Sequence, residues 1–249
     1  MKGYHFVKFE SVTIVISATD ETISLKKTVN YIFDTCSVKD VGCILIVVPE
    51  TVTDECSEII KELYDDNPDV IKILVQSRAD IGGALQDAVD YTETSHIMFF
   101  SADIPVELEV IPTFIKKAKE EPEHIWKVSR WLRKKSFSEY GCIKLFLNKI
   151  GQIFIKKLYN SQLTDYTTPI LISPTRIYKM IKFSDLGFSC LVEAVLIPYR
   201  LGFRINEIPA RCLARKEGKS KNSMKNIVAY LKAIIRIRLV KKNTLFKEN

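Results

Sequence analysis

Short apolar runs that alternate with segments of helical periodicity constrain this chain more than any other feature. Val12-Thr13-Ile14-Val15-Ile16 stops at Ser17-Ala18-Thr19-Asp20-Glu21, and residues 43–48 stop at Pro49. Residues 70–75 form a third run, and Ile97-Met98-Phe99-Phe100 stops at Ser101-Ala102-Asp103. Continuous runs of this length suit strands buried on both faces. Between them, residues 23–33, 56–63 and 84–92 read as helices; Leu25, Val29, Ile32 and Phe33 share one face of the first. Such alternation predicts βαβ units and a parallel sheet. Right-handed crossovers then bring all the strand ends to one side, and ligands of open α/β sheets sit beyond the carboxyl ends. Asp103 is offered at that place, with a loop carboxylate or a helix cap as an equal reading.

The pattern loosens after Asp103. Residues 110–119 read as a helix, 126–131 as a strand and 146–158 as a surface helix. Residues 166–172 read as irregular and then extended, 190–201 as a helix carrying Glu193 among apolar residues, and 203–208 as a returning strand. With 249 residues, 47% of them apolar, the chain can bury a full core. The simplest division is one α/β domain over 1–222 and a basic amphipathic helix with its tail over 223–249.

The six cysteines form no C-x-x-C pair and the three histidines are scattered, so reduced thiols are expected and a structural zinc site is not. The N-terminal residues do not read as a signal peptide, and no apolar run reaches the roughly 18 to 20 residues needed to span a bilayer. A cytoplasmic protein is expected, with contact to the inner face of a membrane left open. The net charge of +7 is uneven: residues 211–249 hold 12 Lys/Arg against 2 Asp/Glu. An anionic partner for this end is implied. Within it, Met224, Ile227, Val228, Leu231, Ile234 and Ile235 fall on one helical face over 224–240, and Lys225, Lys232 and Arg236 on the other. Two readings stand. The helix packs on the domain with a solvated basic face, or it lies on an acidic leaflet. Nucleic acid is not expected as a partner, because the basic face lacks interleaved aromatics.

Six segments in order carry a further signal. They are residues 12–21; Ile46-Val47-Val48-Pro49-Glu50-Thr51-Val52-Thr53-Asp54; Asp80-Ile81-Gly82-Gly83-Ala84-Leu85; and Ser101-Ala102-Asp103. Next come Ser129-Arg130 with Lys144, Asn148 and Thr164-Asp165-Tyr166-Thr167-Thr168-Pro169, and then Glu193 with Gly202-Phe203-Arg204-Ile205-Asn206-Glu207-Ile208-Pro209 and Arg215-x-x-Gly218-x-Ser220-Lys221. In this order they resemble the family 2 glycosyltransferases of the GT-A fold, and among these the polyprenyl- (dolichyl-) phosphate mannose and glucose synthases. The resemblance spans about residues 11–222.

The resemblance implies a GT-A Rossmann-like sandwich, with a mostly parallel central sheet flanked by helices and a C-terminal amphipathic helix. It implies an inverting glycosyltransferase that moves a sugar from a UDP- or GDP-sugar to a polyprenyl phosphate or a glycan hydroxyl. Ser17, Asp20, Glu21, Glu50, Gly82 and Ala102 would lie at the nucleotide, with Gly82-Gly83 as a turn that lets backbone approach it. Asp103 would hold Mg²⁺ or Mn²⁺ on the diphosphate, with Ser101 in place of the first aspartate of the D-x-D motif. Arg130 would add fixed positive charge. Asp165 would be the acceptor-side acid and the base for a hydroxyl acceptor. Arg215, Ser220 and Lys221 would grip phosphate. Glu193 has two readings, a buried carboxylate paired with a nearby base or a catalytic group. The departures at Ser101, Pro49 and Pro169 support an alternative, a catalytically weakened GT-A protein that binds a nucleotide or a partner. A dinucleotide dehydrogenase is disfavoured, since no G-x-G-x-x-G follows the first run.

Overall fold

The computed structural model describes residues 7–134, 136–137, 141–213 and 225–247. The four N-terminal apolar runs become strands β1 (Val12–Ser17), β2 (Val41–Val48), β3 (Ile71–Val75) and β4 (His96–Ser101). Three more follow: β5 (Ile125–Ser129), β6 (Leu171–Pro174) and β7 (Ile205–Pro209). They form one seven-stranded sheet in the order β3-β2-β1-β4-β6-β5-β7. The central strands β1 and β4, and β2 over its second half, are buried on both faces, which is why their sequences do not alternate; the edge strands β3 and β7 are partly exposed. Val12, Ile14 and Ile16 turn to one core with Ile44, Ile46 and Met98, whereas Val15 turns to the other with Leu45, Val47 and Phe99.

Helices cover both faces. The first core is closed by α1 (Ile23–Thr35), α2 (Asp54–Asp66) and α4 (Val110–Glu120), which contribute Leu25, Val29, Ile60, Leu63, Ile111 and Phe114. The second is closed by α3 (Asp80–Tyr91), α5 (Cys142–Tyr159), α6 (Thr175–Met180), α7 (Cys190–Leu201) and α8 (Lys225–Leu239). Thr53 caps α2 by accepting from the Cys56 N–H at 3.3 Å, so that helix starts two residues before its apolar periodicity does.

Three expectations are corrected. Gly82-Gly83 is not a turn: α3 begins at Asp80 and contains both glycines. The strand ends are not all on one side, because β6 runs antiparallel to both β4 and β5. The chain is already at the carboxyl edge of the sheet before β6, held there by the Asp165–Arg130 contact, so the next strand has to run back. The apolar stripe of the C-terminal helix is also divided differently. Ile234 is buried with Ala233 and Ile237, whereas Ile227, Val228, Leu231 and Ile235 stay exposed. Arg236, read on the solvated face, pairs instead with the buried Glu193 of α7 at 2.6 Å. Arg200 of α7 donates to the carbonyls of Ile237 and Val240, satisfying the C-terminal end of α8. Among the described residues no helix is long and apolar enough to cross a membrane.

Candidate active site

The strand order reverses between β1 and β4, which makes their carboxyl ends the switch-point crevice of the sheet. Ser17 is paired in register with Ser101 on one side and Val47 on the other. Two backbone bonds carry this past the strand ends, from the Ala18 N–H to the Val47 carbonyl at 3.0 Å and from the Ala102 N–H to the Ser17 carbonyl at 3.4 Å. The loop after β1 is clasped from within: the Glu21 carboxylate accepts from the Thr19 N–H at 2.8 Å and the Asp20 N–H at 3.3 Å. Asp20 is half-buried and Glu50, just past β2, is exposed. Ser17, Asp20, Glu21, Glu50, Ala102 and Asp103 therefore collect at the ends of three adjacent parallel strands.

Ser101 and Asp103 form a unit. The Ser101 hydroxyl donates to Asp103 Oδ1 at 2.5 Å, and Asp103 is buried. Ile104, next in the chain, sits at φ 46°, a left-handed conformation that a β-branched residue rarely adopts. Backbone strain of this kind persists where the surrounding structure imposes it, and it clusters at functional sites. Among the described residues no group of three or more His, Cys, Asp or Glu side chains could enclose a metal ion. A carboxylate and a hydroxyl are nevertheless hard oxygen donors. They fit a divalent cation of the Mg²⁺ type, which commonly takes one or two carboxylates and completes its shell with substrate phosphates and water.

At the end of β5 a second cluster is built almost wholly from charge. Asp165 is fully buried and Arg130 grips it side-on, Nε to Oδ2 at 2.7 Å and Nη2 to Oδ1 at 3.0 Å. Thr168 Oγ1 donates to Asp165 Oδ2 at 3.1 Å and the Thr167 N–H to Oδ1 at 3.2 Å. Burial pushes the Asp165 carboxyl up, but the charges of Arg130 and Lys127 and the Arg130 hydrogen bonds outweigh it and hold the group well below the usual carboxylate range. A carboxylate so held accepts a proton poorly, and both its oxygens are engaged by Arg130.

Behind this pair lie Lys127, unread in the sequence, and Glu207, quoted there within the sixth segment without a role of its own. Lys127 is fully buried in the middle of β5, and its Nζ donates to the carbonyls of Asp165 at 2.6 Å and Val128 at 2.7 Å. Glu207 of β7 accepts from the N–H groups of Thr164 at 2.8 Å and Asp165 at 3.0 Å, with Lys127 Nζ 3.8 Å away. Burial pulls the Lys127 ammonium down, against Asp165 and Glu207, which favour its charged form. The available signal was a lysine inside an otherwise apolar strand, a position that demands a partner. From α5, Gln152 accepts from the Tyr166 N–H at 2.8 Å and donates to Thr167 Oγ1 at 3.1 Å.

The remaining candidates separate. Gly82 is packed so closely that a Cβ there would lie 2.5 Å from the Leu186 carbonyl oxygen; the close approach is to the chain's own backbone. Glu193 accepts from the Ser184 N–H at 2.8 Å and pairs with Arg236, which matches the buried-carboxylate reading. Asn148 accepts from Gln152 Nε2 at 3.1 Å. Arg215, Ser220, Lys221 and the Lys144 side chain lie outside the described residues. Leu213 is the last residue described before 225, and its N–H donates to the Pro105 carbonyl at 3.0 Å, two residues beyond Asp103.

A hard-oxygen acid at the switch point of a mostly parallel sheet, with the paired charges of Lys127, Arg130, Asp165 and Glu207 around β5, is the arrangement of an α/β protein that binds its ligand at the carboxyl ends of its strands. The family model for glycosyl transferase family 2 matches residues 13–187, and the chain belongs to that family. It is a nucleotide-sugar glycosyltransferase with the GT-A architecture. Among solved structures it is similar to glucosyl-3-phosphoglycerate synthase from Mycobacterium tuberculosis in complex with Mn²⁺, UDP-glucose and phosphoglyceric acid. That match has a TM-score of 0.65 at 12% identity, covering 92% of this chain and 79% of the other. The same enzyme with UDP gives a TM-score of 0.64 at 13% identity and the same coverage. A structure described as a mycobacterial protein gives 0.60 at 11%, over 92% and 74%. At these identities the likeness is one of fold.

Proposed function

We propose that this enzyme transfers a sugar, with inversion, from a UDP- or GDP-sugar to a polyprenyl phosphate at the inner face of a membrane. One observation carries the choice of acceptor: the Asp165 carboxylate is buried and gripped by Arg130 through both oxygens. A glycan hydroxyl needs a base to remove its proton, and Asp165 in this geometry is a weak one. A phosphate oxygen is already ionised and needs none.

In this reading Ser17, Asp20, Glu21 and Glu50 border the nucleotide, and Asp103 with Ser101 would hold Mg²⁺ or Mn²⁺ against the diphosphate. The mycobacterial synthase is known with Mn²⁺ and with Mg²⁺ beside UDP, which supports the same ion type here. Such a cation offsets the charge that develops on the leaving diphosphate. Arg130, fixed by Asp165, adds a preorganised positive group that costs no rearrangement during the reaction. Arg215, Ser220 and Lys221 are assigned to phosphate oxygens by the motif they match. The C-terminal basic helix supplies the membrane contact.

The test compares acceptors that share a polyprenyl chain and differ in ending in a phosphate or in a hydroxyl. With Mn²⁺ and a panel of UDP- and GDP-sugars, label is expected on a polyprenyl phosphate and not on the matching polyprenol. Equal transfer to the polyprenol, or to a glycan hydroxyl alone, would overturn the acceptor. Nucleotide binding with no transfer to any acceptor would favour the weakened binding module that Ser101 suggests.

A further inference from the structure

We propose that α5 and α8 together form one docking surface for an anionic lipid bilayer, so that the acceptor cluster lies one helix thickness from the membrane. On α5, Phe146, Leu147, Ile150, Ile153 and Phe154 are all exposed, Phe146 by 64%. They recur at three- and four-residue spacing and form one strip. Gln152, Ile155 and Tyr159 on the opposite face are buried. On α8, Ile227, Val228, Leu231, Ile235 and Leu239 form a matching strip, Leu239 being 76% exposed, whereas Ala233, Ile234 and Ile237 pack inward. A helix that is apolar on both faces is normally covered on both, and an exposed apolar patch rimmed by charge marks a contact surface.

The two helices are joined near the C-terminal end of α5. Arg238 lies on the exposed side of α8, and its Nε donates to the Leu158 carbonyl near the end of α5 at 3.0 Å. The Tyr159 hydroxyl donates back to the Ile234 carbonyl at 2.7 Å.

Charge selects the occupant. Neither helix contains an Asp or a Glu. Lys149, Lys156, Lys157, Lys232, Arg238, Lys241 and Lys242 are exposed around the strips. A second copy of this chain meeting the same face would bring the same cations and no carboxylate to receive them. A soluble anion would satisfy the lysines and leave the apolar strips in water. An anionic leaflet satisfies both: acyl chains meet the apolar strips and acidic headgroups meet the basic rim.

The surface is joined to the chemistry through α5. Its inner face presents Gln152 to Tyr166 and Thr167, and Thr167 Oγ1 accepts from Arg130 Nη2 at 3.0 Å. With a helix about 10 Å across, a lipid phosphate at the α5 face is close to the Arg130 cluster without leaving its leaflet. This docking rests on the lipid-acceptor reading for its purpose, and its test is independent of turnover.

The test is co-sedimentation of the full chain with vesicles of equal parts phosphatidylglycerol and phosphatidylcholine, against phosphatidylcholine alone, with no donor present. The chain is expected to pellet with the anionic vesicles and to be released by high salt. Phe154→Glu on α5 and Leu231→Glu on α8 replace exposed side chains, so their thermal unfolding should match the parent. Each is expected to weaken partitioning by roughly tenfold or more, since it removes apolar burial and adds a repelled charge. Failure of the parent chain to bind anionic vesicles would overturn the surface. Unaltered binding by Phe154→Glu would remove α5 from it, and a dimer dissociated by either variant would assign the strips to a second copy. If binding fails while metal-dependent donor turnover persists, the docking surface is wrong and the transferase reading stands.

Discussion

Arg130 and Asp165 meet side-on across the site, Nε to Oδ2 at 2.7 Å and Nη2 to Oδ1 at 3.0 Å, in a place where Asp165 has no exposure at all. Removing one member of a buried ion pair leaves the other charge uncompensated, which costs about 3–5 kcal/mol. Arg130→Ala is expected to destabilise the fold by an amount of that order in denaturant unfolding. Arg130→Lys keeps the charge but not the planar fork. It should retain most of the stability and lose activity, and that split separates a positioned catalytic cation from a structural one.

Ser101 leaves Asp103 as one carboxylate where the D-x-D motif has two. Ser101→Asp would place two acids side by side, raising the pKa of one of them and lowering stability in the absence of metal. A divalent cation should then raise the melting temperature more than it does in the parent, and the Mn²⁺ concentration for half-maximal activity should fall by about tenfold. Thermal shift with and without Mn²⁺ reads the first effect and a metal titration of turnover the second.

At Gly82 the motif resemblance and the structure assign different work. A Cβ there would lie 2.5 Å from the Leu186 carbonyl oxygen and 2.7 Å from that of Asp185. Gly82→Ala is therefore expected to cost about 1–3 kcal/mol through overpacking. UDP affinity of the folded fraction should remain near the parent value. A melting temperature at or above that of the parent, with lost nucleotide binding, would return Gly82 to the nucleotide.

Glu193 gives a pH signature. Burial raises its pKa above the ordinary 4.5, against the Ser184 N–H and Arg236, which lower it. A raised carboxyl pKa means the folded state holds its proton longer than the unfolded one, so the group's contribution worsens as pH rises through 4.5 and beyond. Arg236→Ala removes one of the opposing influences. Its stability deficit should be small below pH 4.5 and grow toward neutrality, reaching about 1–2 kcal/mol, since the Arg236 side chain is itself partly in water. Chemical unfolding at several pH values measures this, and a pH-independent deficit would contradict it.

The strands and the switch-point site were legible because a doubly covered sheet writes itself as continuous apolar runs with polar stops. Val12 to Ser17 and His96 to Ser101 are of this kind, and their ends carry Ser17 and Asp103. The direction of β6 was not legible. It follows from where the chain stands when Asp165 meets Arg130, a contact between residues far apart in sequence. Lys127 was missed, and Glu207 was read only as part of a motif, for the same reason: each looks like an isolated charge in a strand until β5 and β7 are paired. The face of α8 that turns inward was hidden as well. Ile234 and Ile235 are neighbours in an apolar stripe wide enough to pack on either side, and only the docking of Arg236 onto Glu193 decides between them.

The most direct test of the central claim is turnover of UDP- and GDP-sugars by the purified chain, with and without Mn²⁺, in parent and Asp103→Ala. A metal-dependent transferase should cleave one donor preferentially, require the cation, and lose the reaction in Asp103→Ala while remaining folded. Turnover that persists without metal and survives Asp103→Ala would contradict the account.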